Sequence, residues 1–407
     1  MRRLLLLLLE TVRQLRSRTV KRTVLLAAVG DVNSPATWSG IPFHFLQAAR
    51  GAGLINQGLA LSASGRDWRI RRLAWNARSV LKGDHHGGYQ YSPGFLERLW
   101  ERDRRRLGGS VIVNCFQLFP DSIVLDSTIE KWFFIDQTLT QLFDFYGERR
   151  KIGSSIAADA VAREREGYLA SAGVIAHSRW AADNVIFGYG VPPEKVHVAT
   201  PGASLDEAEY ECWERERAKE PRRAPNRPEE LRLVFVGKDW RRKGLDRLLA
   251  AFGLARKLGL RATLRVIGVA RRAIPAKYRD CDGVEWAGFI DKRNHASEFI
   301  NAVASCDLGC LLSRAEAGGI AFREYHALGL GALGSNVGGA AEHMIPEASL
   351  LMPPESSDEE IARALLALQR EPERLLSMRR HAWERRRTAL WRESISRLMT
   401  FWPHAPD

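Results

Sequence analysis

Cysteine is scarce in this chain. Its 407 residues hold five, at positions 115, 212, 281, 306 and 310, an odd and scattered set. Cys306 and Cys310 stand one helical turn apart, but no histidine or second pair completes a zinc signature. The set reads as reduced, mostly buried thiols of a cytosolic protein rather than a disulfide scaffold. Long apolar runs are missing as well. The six leucines at 4–9 are closed by Glu10 and Arg13, too few to span a bilayer. A secretory signal would need a longer apolar core and a small-residue cleavage site. Helix-turn-helix, zinc-finger and aromatic RNA-binding signatures are also lacking, so the formal net charge of +13 does not point to nucleic acid. Its basic clusters at 69–72, 102–106, 149–151 and 379–387 fit an anionic membrane or an anionic substrate better.

What is present is a regular alternation. Apolar runs at 24–29, 111–114, 174–176, 233–236, 264–267 and 308–312 are separated by helical patterns. This predicts an α/β protein with parallel sheets covered on both faces. The length suffices for two domains, each with its own core. Residues 23–205 read as a first Rossmann-like domain and 231–384 as a second. Between them, 206–230 is dense in charge and proline and reads as a linker. At 385–407, Leu390, Trp391, Ile395, Leu398, Met399, Phe401 and Trp402 suit a terminal helix packed back on the first domain. At the other end, residues 1–22 form a basic amphipathic segment: on a helix Leu5, Leu8, Val12 and Leu15 share a face flanked by Arg13, Arg16 and Arg18. Such a helix suits either anionic lipid or the protein's own surface.

The most informative segment is Glu316-Ala-Gly-Gly-Ile-Ala-Phe-Arg-Glu324, a glycine turn opening a helix with a carboxylate on either side. A helix start presents unpaired N–H groups and the positive end of the dipole, so it suits a diphosphate. Gly318 and Gly319 allow close backbone approach. Glu324, about two turns in, can accept bonds from neighbouring hydroxyls such as those of a ribose. Upstream, Leu233-Val-Phe-Val-Gly237 is followed by Arg242-Lys243-Gly244 and an apolar-periodic helix. Arginine and lysine there supply a planar fork and a point charge for phosphate oxygens. Three further stretches complete the pattern: Gly338-Gly339-Ala-Ala-Glu342, the Thr200-Pro-Gly-Ala203 segment, and the loop from Gly30 through Pro35, Trp38 and Gly40 to His44.

From about Thr23 to Glu342, these stretches resemble, in order, the motifs of retaining glycosyltransferases of family 4, including their E-x7-E block. The resemblance implies the GT-B fold: two Rossmann-like doubly wound domains facing across a cleft. It further implies transfer of a hexose, with retained configuration, from a nucleotide-sugar (UDP- or GDP-hexose) to a saccharide or lipid-linked saccharide in cell-surface glycan synthesis. Glu316, Arg242 and Lys243 take the catalytic positions. Gly40, Gly237, Gly318, Gly319, Ile320 and Glu324 take the donor-binding ones. No permanently bound cofactor and no metal are expected, because cations and helix dipole can neutralise the leaving group. The expected place is the inner face of the cytoplasmic membrane, with an anionic bilayer as partner and no nucleic acid.

The acceptor side departs from the pattern. Many relatives carry a histidine after a central strand of the first domain, whereas the stretch read as its counterpart, Val111-Ile-Val-Asn-Cys-Phe-Gln117, has none. Gln117 is a candidate sugar donor group or an ordinary strand-end glutamine. Asp136 reads equally as a cleft carboxylate or a helix cap. His44, one turn into a helix, and Ser178, at a strand end, complete the candidates, each with a packing or capping alternative. Two other functions share the fold: a nucleotide-sugar epimerase, which an acceptor requirement would exclude, and a non-catalytic saccharide- or membrane-binding scaffold.

Overall fold

A computed structural model of the protein describes residues 22–81, 87–219 and 230–404. All but the last residue of the basic segment 1–22 lie outside these. The strands are β1 (Val24–Val29), β2 (Gln57–Leu61), β3 (Val111–Asn114), β4 (Glu130–Ile135), β5 (Gly173–Ala176) and β6 (Val196–Val198), then β7 (Leu231–Val236), β8 (Ala262–Ile267), β9 (Val284–Gly288), β10 (Leu308–Leu311), β11 (Gly331–Ser335) and β12 (Ser349–Met352). They form two six-stranded sheets, ordered β2-β1-β3-β4-β5-β6 and β12-β11-β10-β7-β8-β9. Every neighbouring pair is parallel. Parallel strands are covered on both faces, which is why β3 and β5 are buried at every residue and read as plain apolar runs.

Each sheet has a point where the strand order reverses, between β1 and β3 in the first and between β7 and β10 in the second. Ligands of open α/β sheets lie beyond the strand ends at such points. The loops that follow β1, β3, β7 and β10 are those carrying Gly40, Gln117, Arg242 and Glu316.

The stretch 206–230, expected as a linker, instead holds a helix over Glu207–Lys219. Its inward residues are Tyr210 and Glu214. The buried Glu214 carboxylate accepts from Arg386 at 2.6 Å and Arg387 at 2.9 Å. Local charge density concealed this helix because its buried anion is neutralised from the far end of the chain. A helix over Trp391–Met399 puts Trp391, Ile395 and Leu398 into the core of the first sheet, with Trp402 following. The Trp391 ring stacks on Phe45 at 5.7 Å, and Phe45 stacks on Phe134 at 4.3 Å. Where the chain crosses between sheets, a Cβ on Gly202 would collide with the Trp391 backbone nitrogen, so the outgoing and returning crossings lie in contact. Among the described residues, no helix is long and apolar enough to cross a membrane.

Candidate active site

Glu316 lies just past β10, buried to 6 % exposure. One carboxylate oxygen accepts from Lys243 Nζ at 3.1 Å, Ser313 Oγ at 3.2 Å and Arg242 Nη1 at 3.3 Å. Burial pushes its pKa up, but Lys243 and then Arg242 outweigh it and hold the group below the ordinary glutamate value. It is therefore an anion at neutral pH. Arg242 also donates to the Ala315 carbonyl at 2.9 Å and to Asp239. Both cations follow the turn after β7, where Gly237 leaves room for the Lys243 stem.

The helix Ile320–Ala327 begins immediately beyond, with Gly319 as its N-cap at φ +80°. Glycine adopts that left-handed conformation at little cost. Gly318 lies flat against the His343 ring, with no space for a Cβ. The first amides of the helix, from Ile320, have no intrahelical acceptor. Because the helix starts at Ile320, Glu324 sits just over one turn in rather than two. It is buried and ion-paired with Lys292. Burial raises its pKa, and Lys292 opposes the rise. The loop after β11 closes the floor: a Cβ on Gly338 would collide with the Glu316 carbonyl oxygen, and one on Gly339 with that of Ala317.

Across the cleft, the first sheet contributes Asp136 at the end of β4. Burial first, and then the charge of Glu316, push its pKa up to about 7 against its own backbone amide. One of its carboxylate oxygens has no hydrogen-bond partner. Tyr146 bridges the halves: its hydroxyl accepts from the Ala317 amide at 2.6 Å, and its ring lies 5.5 Å from the Arg242 guanidinium carbon. Trp38, Ser39 and Gly40 are consecutive left-handed residues at φ 45°, 57° and 84°. Two non-glycine residues in that region store strain, a feature that clusters at functional sites. Trp38 faces His177 at 5.9 Å between ring centroids.

Of the residues singled out from sequence, Arg242, Lys243 and Glu316 are in direct contact, with Gly318, Gly319 and Ile320 beside them. Asp136 feels the same charges from the opposite wall. Gln117 is turned to its own domain, donating to the Gln137 carbonyl at 3.4 Å. Ser178 caps the helix Arg179–Asp183 through the Ala181 amide at 3.3 Å, which matches the capping alternative. His44 stands apart from the Glu316 cluster. It lines a cavity of about 900 Å³ with Asp206, Glu211 and Arg387. Its pKa falls to about 4, by burial first and then by Lys292, with Asp206 opposing, so it is neutral at physiological pH. Gly40 approaches it closely.

Sequence reasoning missed Lys292, Tyr146, Ser313 and the buried pair His177 and His343. The histidines keep unpartnered ring nitrogens and lowered pKa values, through burial first. Only Ser313 carried a local signal, three residues before Glu316 and just past β10. Also missed was the role of Glu342, whose carboxylate accepts from the Arg179 and Trp180 amides at 2.5 and 2.9 Å and so ties the two halves together.

Residues 216–385 match the family model described as glycosyl transferases group 1, a segment that includes Arg242, Lys243, Glu316 and Glu324. The match supports glycosyl transfer as the class of reaction. No curated protein matches the sequence. Among solved structures, the chain is similar to a sucrose-phosphate synthase from Thermosynechococcus elongatus at 16 % identity and a TM-score of 0.65, covering 93 % of this chain and 97 % of that one. It is also similar to WaaG, a glycosyltransferase involved in lipopolysaccharide biosynthesis, at 15 % identity and TM-score 0.59, covering 93 % and 100 %. A third likeness is Anabaena Alr3699/HepE in complex with UDP and glucose, at 14 % identity and TM-score 0.59, covering 93 % and 100 %. These likenesses establish the GT-B fold.

Proposed function

We propose that the protein is a retaining glycosyltransferase that moves a hexose from a nucleotide-sugar to a saccharide or lipid-linked saccharide. The observation that carries this reading is the convergence of Arg242, Lys243 and Ser313 on the buried Glu316, at the mouth of a helix and at the strand-order reversal of the second sheet. A similar structure holds UDP and glucose, which supports a nucleoside diphosphate as the leaving group here.

In this reading the donor diphosphate lies against Arg242, Lys243 and the amides of Gly318 to Ile320, with Gly40 facing it. Fixed cations and amides stabilise the charge that develops as the glycosidic bond breaks. Glu316 sits by the oxocarbenium-like sugar, and Glu324 with Lys292 by the ribose. A leaving phosphate oxygen takes the acceptor proton on the face where the acceptor attacks, which retains the configuration. Asp136 faces the sugar from the other wall. No resident cofactor or metal is required, and the enzyme acts peripherally at the cytoplasmic face of the membrane in cell-surface glycan synthesis.

A thermal-shift screen against UDP, GDP and their hexose conjugates tests the donor site. A shift selective for one base is expected. Glu316→Ala should abolish transfer while the nucleotide shift persists. Full activity in that variant would overturn the site assignment, and the absence of any nucleotide shift would favour a non-catalytic scaffold.

A further inference from the structure

The helix Arg66–Leu81 has two apolar faces, and the fold uses only one of them. At about 100° per residue, Trp68, Trp75 and Ser79 point inward. Trp68 packs edge-on against Phe95 at 5.1 Å, and Trp75 donates to the Gly87 carbonyl at 3.0 Å. The inward face is therefore anchored in the first domain. The opposite face presents Ile70, Leu73, Ala77, Val80 and Leu81 as one stripe along the helix. Ile70 is 55 % exposed, Leu73 65 %, Val80 50 % and Leu81 86 %. Single exposed apolar residues are ordinary, but a contiguous stripe is not.

The borders of the stripe identify its occupant. Arg69 lies along one edge, Arg71 and Arg78 along the other, and Arg66 at its N-terminal end. Asp67, the only acidic residue of the helix, is taken by Arg71 at 3.1 Å and Arg98 at 2.8 Å. Two copies of this face laid together would bring arginine borders against each other. A bilayer of anionic phospholipid meets both demands, since acyl chains accept the apolar stripe and phosphates accept the guanidinium groups.

We infer that the outer face of Arg66–Leu81 docks the protein on anionic phospholipid, with Ile70, Leu73, Val80 and Leu81 entering the headgroup boundary and Arg66, Arg69 and Arg78 holding the phosphates. Vesicle binding needs no sugar donor, so this inference stands or falls apart from the catalytic reading. It also differs from lipid binding by residues 1–21, because the insertion is assigned to particular positions of this helix.

The test is an environment-sensitive fluorophore at position 73 of the full chain, attached through Leu73→Cys after Cys212 and Cys281 are changed to serine. A matching label at Met399, which is 42 % exposed on the terminal helix, is the control. With vesicles containing phosphatidylglycerol, the label at 73 should shift to the blue and the label at 399 should not. Phosphatidylcholine alone should give no shift, and high salt should weaken the response. Co-sedimentation of the Ile70→Glu/Leu73→Glu variant should show partitioning reduced by about tenfold or more, with an unchanged far-ultraviolet circular dichroism spectrum and Tm as evidence of folding. An unshifted label at 73, equal shifts at 73 and 399, or undiminished partitioning of the double variant would overturn the inference. So would a dimer in the absence of lipid that Leu73→Glu dissolves, which would give this face to a second copy of the chain.

Discussion

The two walls of the cleft differ in how their charges are settled. On the wall from the second sheet, the buried carboxylates have counterions: Glu316 with Lys243 and Arg242, and Glu324 with Lys292. On the wall from the first sheet, Asp136 keeps an oxygen without a partner, as do Gln137 through its amide oxygen and His177 through Nε2. Buried polar atoms are nearly always bonded, and an unpaired one is costly. The first wall thus leaves a buried carboxyl oxygen unmet, whereas the second pairs both of its buried carboxylates and leaves its unmet atoms on neutral groups such as the His343 ring. A diphosphate entering the second wall must compete with Glu316 for the same two cations. In the proposed reading, a sugar hydroxyl arriving at the first wall meets a carboxyl oxygen that no protein group already holds.

The sharpest way to break this contrast is Lys243→Met. It removes the closest cation to Glu316 and should lower kcat/KM by about 10²- to 10³-fold. Steady-state kinetics with the preferred donor, and loss of the nucleotide thermal shift, would read it. Near-normal kinetics would show that charge compensation on the second wall is not what the reaction uses.

A smaller effect, of opposite sign in two measurements, is expected for Asp136→Asn. The Asp136 pKa is raised from an ordinary 3.8 to about 7 in the folded protein. A raised carboxyl binds its proton more tightly when folded, so its favourable contribution is complete below about pH 4 and is lost as pH rises through 7. An amide at this position does not titrate and would escape that loss. The variant's Tm should exceed the parent's by several degrees at pH 8 and match it at pH 4, while transfer falls by about ten- to a hundredfold. A variant that is neither more stable at pH 8 nor slower would remove Asp136 from the cleft's chemistry.

Smallest of all should be Ser178→Ala. The hydroxyl caps a short helix, so about 1 kcal/mol of stability is at stake, measurable by urea unfolding, with kcat unchanged. A drop in kcat beyond about threefold, unaccompanied by a change in KM, would return Ser178 to the reacting site.

The alternation of the fold was legible because parallel strands buried on both faces leave apolar runs, as in β3 and β5. Strand β11 was not. Its Gly331-Ala-Leu-Gly-Ser335 is wholly buried, yet with two glycines and a serine it does not stand out as an apolar run. The glycines there serve packing: Gly334 lies under the Phe322 ring and Gly331 beside Met378. The helix at Glu207–Lys219 escaped for a related reason, since one of its two inward residues is a glutamate. In the candidate site, Glu316, Arg242 and Lys243, which the structure brings into contact, stood out in the sequence because a local turn or helix start advertises each. Tyr146 and Lys292 act from other elements far along the chain, on the Ala317 amide and the Glu324 carboxylate, and no local spacing marks them.

The bond from Glu342 to the first amides of the Arg179–Asp183 helix has a consequence for turnover. Together with the Tyr146 hydroxyl on Ala317, it means that parting the halves would strip three backbone N–H groups of their acceptors at once. The energy barrier to gaping is thereby built from main-chain donors, which only a proline would delete, and from two side chains, which many substitutions would. Shortening Glu342, which touches none of the Glu316 cluster, would speed product escape and leave the bond-breaking step alone, whereas Tyr146 also lies over Arg242. An enzyme limited by release would then run faster with a weaker grip.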